Sequence, residues 1–139
     1  MDKKARSGNP STSNTSASRT NPLPGCPMAA AFAAVGGKWK LTLLYWLAHD
    51  ETHFAGLRHR AAPISAKVLA EQLRELQADG MVERVETGPV PAPVVYRLTD
   101  YGMTALPVVE SVRVWGGAHL RHSGAPQGDP AAGCVDEVA

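Results

Sequence analysis

A mainly α domain with one small β-hairpin, an α+β chain, is what three observations predict here. The first is ISAKVLAEQLRELQADG at 64–80. Leu69, Leu73 and Leu76 recur at spacings of four and three, so a helix would carry them on one buried stripe. At about 100° per residue, Lys67, Glu71, Arg74 and Ala78 fall on the opposite side. The second is the segment that follows. A β-prone run with Val82 and Val85 and another with Val94, Val95, Tyr96 and Leu98 flank the Pro- and Gly-rich TGPVPAP, which reads as an exposed hairpin loop. The third is KWKLTLLYWLAH at 38–49, apolar enough to be a central core helix. Helix, strand, loop and strand in this order make the pattern of a winged helix-turn-helix. In that fold the helix enters the DNA major groove and the loop follows the backbone or enters a minor groove.

Taken in order, residues 1–23 are mostly Ser, Thr, Asn and charged groups and should form a disordered basic arm. Pro27 opens the short helix PMAAAFAAV, which Gly36-Gly37 ends. In the next helix Trp39, Leu43 and either Trp46 or Leu47 share one side with Leu44 nearby, which predicts burial on more than one face. Asp50-Glu51 ends it, and Thr52-His53-Phe54 suits a minimal edge strand. FAGLRHRA at 54–61 is a short helix with Phe54 and Leu57 inward. With 64–80 it forms a helix-turn-helix pair joined at Ala62-Pro63. Ser65 is the expected N-cap of the second helix and Gly80 its left-handed C-terminal residue. After the hairpin, Thr99 should cap a long helix with Leu106, Val109 and Val112 on an apolar stripe that Val108 and Trp115 extend. Pro107 should kink or interrupt this helix, and Gly116-Gly117 should weaken it. Residues 123–139 read as a flexible acidic tail, leaving 24–122 as the folded domain.

That last stripe is more aliphatic surface than a hairpin can cover. Packing on the same helix of a second chain, with its PMAAAFAAV helix as a further surface, would make a two-fold dimer through terminal helices; burial within the monomer is the competing arrangement. A dimer suits duplex DNA, since paired recognition helices must stand about 34 Å apart to read two half-sites.

The formal net charge is only +1, so no global basicity announces a polyanion partner. The distribution is more informative. Residues 1–23 carry a net +3 and residues 123–139 a net −3, whereas 24–122 hold ten basic and nine acidic side chains. Within Thr52–Lys67 stand Arg58, Arg60 and Lys67 with no acid, so a modest basic patch leads into the proposed recognition helix. There is no run of about 20 apolar residues to span a membrane. A polar tract and two prolines stand where a signal peptide needs its apolar stretch. A cytoplasmic protein with reduced Cys26 and Cys134 is expected, with no cofactor. Cys26 lies at the threshold of the first helix, where amide dipoles favour a thiolate; a small, inert, partly buried residue is the alternative.

Against an enzyme stands the lack of a Gly-rich phosphate loop, a nucleophile elbow or a carboxylate pair. His49 and His53 stand four apart, but HDETH lacks the Glu directly after the first His that a metalloprotease uses as general base. The candidates for DNA contact are Ser65, Lys67, Val68, Glu71, Gln72 and Arg74 on the recognition helix, with Arg58 and Arg60 as phosphate clamps.

The chain also resembles the HxlR family of winged helix-turn-helix regulators, relatives of the MarR type. The matching residues are Cys26-Pro27, GGKW at 36–39, Phe54-x-x-Leu57-Arg58 and Ile64-Ser65. LxxxLRELxxDGxVER from Leu69 to Arg84, VxYxLTxxG from Val94 to Gly102, and Trp115-Gly116 complete the series. In order and spacing these cover about residues 26–120. The resemblance implies a bacterial homodimer that represses or activates transcription at a pseudo-palindromic operator. It also implies that Cys26 is a candidate redox sensor of electrophiles or oxidants, or that a small ligand acts as inducer. The chain departs from the family pattern where relatives tend to have Thr-Gln-Arg and it has Ala70-Glu71-Gln72. No Arg stands at Ala92–Val95 in the wing, and His53 replaces a common Arg. These changes leave open a second reading, a winged-helix module with weak or lost DNA binding that acts through protein contacts or small-molecule capture.

Overall fold

The computed structural model describes residues 23–50, 52–89 and 93–128. The expected arm (except Leu23), most of the acidic tail with Cys134, and the wing-tip residues 90–92 lie outside that set. The chain divides into two compact units, residues 1–38 and 39–139. The first contains helix α1 (Pro27–Val35), with proline in its first turn and Gly36 N–H donating to the Phe32 carbonyl at 2.8 Å. Met28 and Phe32, one turn apart, both project outward, Phe32 being 76% exposed.

The second unit runs α2 (Lys40–His49), β1 (Thr52–His53), α3 (Phe54–Arg60), α4 (Ala66–Ala78), β2 (Val82–Glu86), β3 (Val94–Leu98), α5 (Asp100–Met103) and α6 (Leu106–Ser123). Its three strands form an antiparallel sheet in the order β1-β3-β2, with Thr52 opposite Tyr96 and Val85 opposite Val95. The minimal edge strand expected after α2 is therefore present, and it shields one side of β3. Helix α2 packs against β3 and α6, while α4 packs against β2. The core consists of Leu43, Leu44, Trp46 and Leu47 from α2, the three leucines of α4, and Leu57, Ile64, Met81, Val82, Val95, Tyr96 and Val109. The predicted stripe of α4 and the burial of α2 on more than one face are thus both observed.

Two boundaries differ from expectation. The central helix starts at Lys40 rather than Lys38, with Trp39 as its N-cap. The long helix expected from Thr99 is two helices. Thr99 does cap, its Oγ1 accepting from Gly102 N–H at 2.9 Å, but α5 lasts one turn and α6 begins at Leu106. The break falls at Thr104-Ala105, so Pro107 sits in the first turn of α6, where its missing N–H costs nothing. Gly116 and Gly117 do not interrupt α6, which runs on to Ser123 and closes on Gly124 at φ +74°.

Candidate nucleic-acid interface

The site is built on α4. Ser65, in extended backbone conformation, accepts a hydrogen bond on its Oγ from Val68 N–H at 3.1 Å, satisfying one of the amides that the first helical turn leaves unpaired. Gly80 closes the helix at φ +78°, and Met81 N–H returns to the Leu76 carbonyl at 2.9 Å. Between these caps, Leu69, Leu73 and Leu76 are buried. Lys67, Val68 and Arg74 are exposed, and Glu71 and Gln72 half-buried. The polar face read from the periodicity is therefore the face turned to solvent, with Ser65 serving it as cap.

Helix α3 precedes it across a tight turn in which Ile64 N–H donates to the Ala61 carbonyl at 3.0 Å. Its two arginines part company. Arg58 is exposed, whereas Arg60 is half-buried, with its guanidinium 5.6 Å from the centre of the Trp46 ring. Arg60 thus braces α3 against α2 through a cation–π contact, and of the two, Arg58 is the one that reaches into solvent.

The wing strands carry two arginines, each with an acidic neighbour. Arg97 Nε donates to Glu83 across the β2–β3 ladder at 2.7 Å, and Arg84 reaches Glu86 at 3.4 Å. These exposed pairs contribute little to stability, but each sets a carboxylate beside an arginine. Where the two strands end, Thr87 N–H donates to the Pro93 carbonyl at 2.8 Å.

One further pair was not anticipated. Lys40, at the start of α2, is 2% exposed, and its Nζ lies 2.6 Å from Glu75 Oε1 on α4, whose side chain is 15% exposed. A partner 35 positions away has no local signal in the sequence.

Elsewhere, Val108, Val112 and Trp115 form an exposed ridge on α6, Trp115 being 67% exposed and stacked on His119 at 5.1 Å between ring centres. A groove of about 120 Å³ between α2 and α6 is lined by Leu41, Thr42, Tyr45, Val109, Val112 and Arg113. Arg113 grips Glu110 through two hydrogen bonds at 2.6 and 3.0 Å, which hold that carboxyl below the usual carboxylate range. His49 has its Nδ1 2.9 Å from the Tyr45 carbonyl oxygen. Among the described residues no group of three or more His, Cys, Asp or Glu could hold a metal, and no helix is long and apolar enough to cross a membrane. Cys26 is the N-cap of α1 and half-buried.

A capped helix with a solvent-facing polar side, a short helix before it and a two-stranded wing after it define a winged helix-turn-helix DNA-binding protein. The chain belongs to the HxlR-like helix-turn-helix family, whose model matches residues 34–124. It is 42% identical over 91 residues to an uncharacterized HTH-type transcriptional regulator of Halalkalibacterium halodurans, a match covering 65% of this chain and 80% of the relative. Among solved structures it is similar to the oxidized form of the redox regulator HypR, with a TM-score of 0.64 and 38% identity over 67% of this chain and 96% of that one. It is also similar to diamide-treated YodB from B. subtilis, with a TM-score of 0.58 and 29% identity over 69% and 96% of the two chains. The protein is a transcriptional regulator of the helix-turn-helix type, not an enzyme.

Proposed function

We propose that the protein acts as a homodimer that binds a pseudo-palindromic operator sequence-specifically and responds to electrophiles or oxidants through Cys26. The observation that carries the DNA-binding part is the solvent-facing side of α4, where Lys67 and Arg74 stand beside Val68, with Arg58 on the neighbouring helix. In this reading Lys67, Arg74 and Arg58 neutralise phosphates, Gln72 meets a base edge, and Glu71 accepts from a cytosine amine. Ser65 and Val68 lie at the entering end of the helix, and Arg60 acts from behind by holding α3. The exposed ridge Val108, Val112 and Trp115 supports dimerisation through α6, since a patch of that kind is best covered by a partner surface. The likeness to two regulators solved in oxidized or diamide-treated form supports a redox role for the half-buried thiol.

The test is a gel-shift titration with a duplex selected by the protein from a random-sequence library, at two salt concentrations. Lys67→Ala should weaken binding to all duplexes about tenfold and reduce the slope of log affinity against log salt by about 1. Unchanged affinity would remove Lys67 from the interface. Cys26→Ser should bind as the wild type does yet lose any change in affinity produced by diamide; a variant that still responds clears Cys26 of the sensing role.

The carboxylates beside Arg84 and Arg97 favour a second reading, a module that works mainly through protein contacts or a small molecule. It predicts a wild-type protein that shows no preference among duplexes.

A further inference from the structure

An ion pair joins the central helix α2 to α4. Glu75 sits on the flank of α4, between the leucine stripe and the solvent-facing side, and its Oε1 accepts from Lys40 Nζ at 2.6 Å with Lys40 2% exposed. The leucine contacts are non-directional, so they define the roll of the helix less sharply than a directional bond does. A charge-assisted hydrogen bond is directional, because its length and angle are narrowly defined.

We propose that Lys40 and Glu75 are positioning residues for DNA recognition. Their bond fixes the rotation of α4 about its own axis, and with it the register in which Lys67, Glu71 and Arg74 meet the groove. The inference rests on the DNA-binding reading above. Side-chain tips stand about 6 Å from a helix axis, so a roll of about 10° displaces them by about 1 Å. That displacement is enough to spoil a hydrogen bond to a base edge. Attraction to a phosphate falls off gradually and survives it. Loss of the pair therefore lowers selectivity and spares general affinity.

The decisive variant is Lys40→Met/Glu75→Leu, because well-packed apolar groups replace a buried ion pair with little change in stability. It is compared with the wild type on the library-selected duplex and on a scrambled duplex of equal composition, with a thermal melt as control. The expected result is a near-wild-type melt, scrambled-duplex affinity within about twofold, and a selectivity ratio about tenfold lower. A folded variant that selects as well as the wild type overturns the proposal. So does a variant that loses affinity for both duplexes equally, which is what a purely structural role would give. If the double variant does not fold, Glu75→Asp carries the test, since it keeps the charge and withdraws the carboxylate by one methylene. A roughly threefold loss of selectivity is expected for it, and undiminished selectivity overturns the proposal. A wild-type protein indifferent to both duplexes removes the DNA-binding reading and this inference together.

Discussion

Glu75→Ala should destabilise the protein by about 3–5 kcal/mol, among the largest effects of any single polar substitution in the described residues. The reason is the environment of Lys40. Its ammonium has been taken almost wholly out of water, and the carboxylate 2.6 Å away is what compensates that transfer. Deleting the carboxylate leaves a buried cation, whereas replacing both groups with apolar ones removes the charge and its cost together. The comparison therefore has a characteristic pattern. Glu75→Ala should lower the melting temperature by at least 10 °C or so, and Lys40→Met/Glu75→Leu should melt within a few degrees of the wild type. Chemical and thermal denaturation of the three proteins would check it. A loss below about 1 kcal/mol for Glu75→Ala would mean that the pair behaves as an exposed one.

Gly102→Ala should cost about 3 kcal/mol, although alanine is the better helix former by about 1 kcal/mol. Gly102 lies in α5, and a Cβ built on it would run into the Met81 carbonyl oxygen and stand 2.9 Å from the carbonyl carbon. That carbonyl cannot simply withdraw, because it accepts from Thr99 N–H at 3.1 Å. Thr99 in turn donates its hydroxyl to the Gly80 carbonyl at 2.6 Å and accepts from Gly102 N–H. The end of α4, the start of β2 and the cap of α5 are thus joined at one point. An added methyl must part them. Gly116→Ala in the middle of α6 is the natural control: nothing lies within 4 Å of its Cβ position, so it should stabilise by about 0.5–1 kcal/mol. Calorimetric melts of both variants would show opposite signs, and a stabilised Gly102→Ala would refute the close-approach account.

These two sites differ in how far they could be read in advance. Gly102 stands in the VxYxLTxxG pattern, but the pattern does not say that Met81 lies against it. Lys40 and Glu75 are each ordinary on their own helices. Their meaning depends on bringing residue 40 to residue 75, which no periodicity encodes. Arg58 and Arg60 illustrate the same limit. Two residues apart in a basic run, they look equivalent, and the position of the Trp46 ring separates them. Arg97 likewise gained its acidic neighbour Glu83 from strand register.

The sequence by itself determined the order of helices and strands, the caps at Ser65, Gly80 and Thr99, and which side of α4 is buried. Each of these depends on neighbours within about four residues or on a period along one element, so the information is local. Tertiary structure alone decided where the last helix breaks, which arginine meets solvent, and which residue pairs with Glu75. Those outcomes are set by contacts between residues distant in the chain, where charge, burial and free space are defined only once the elements have packed.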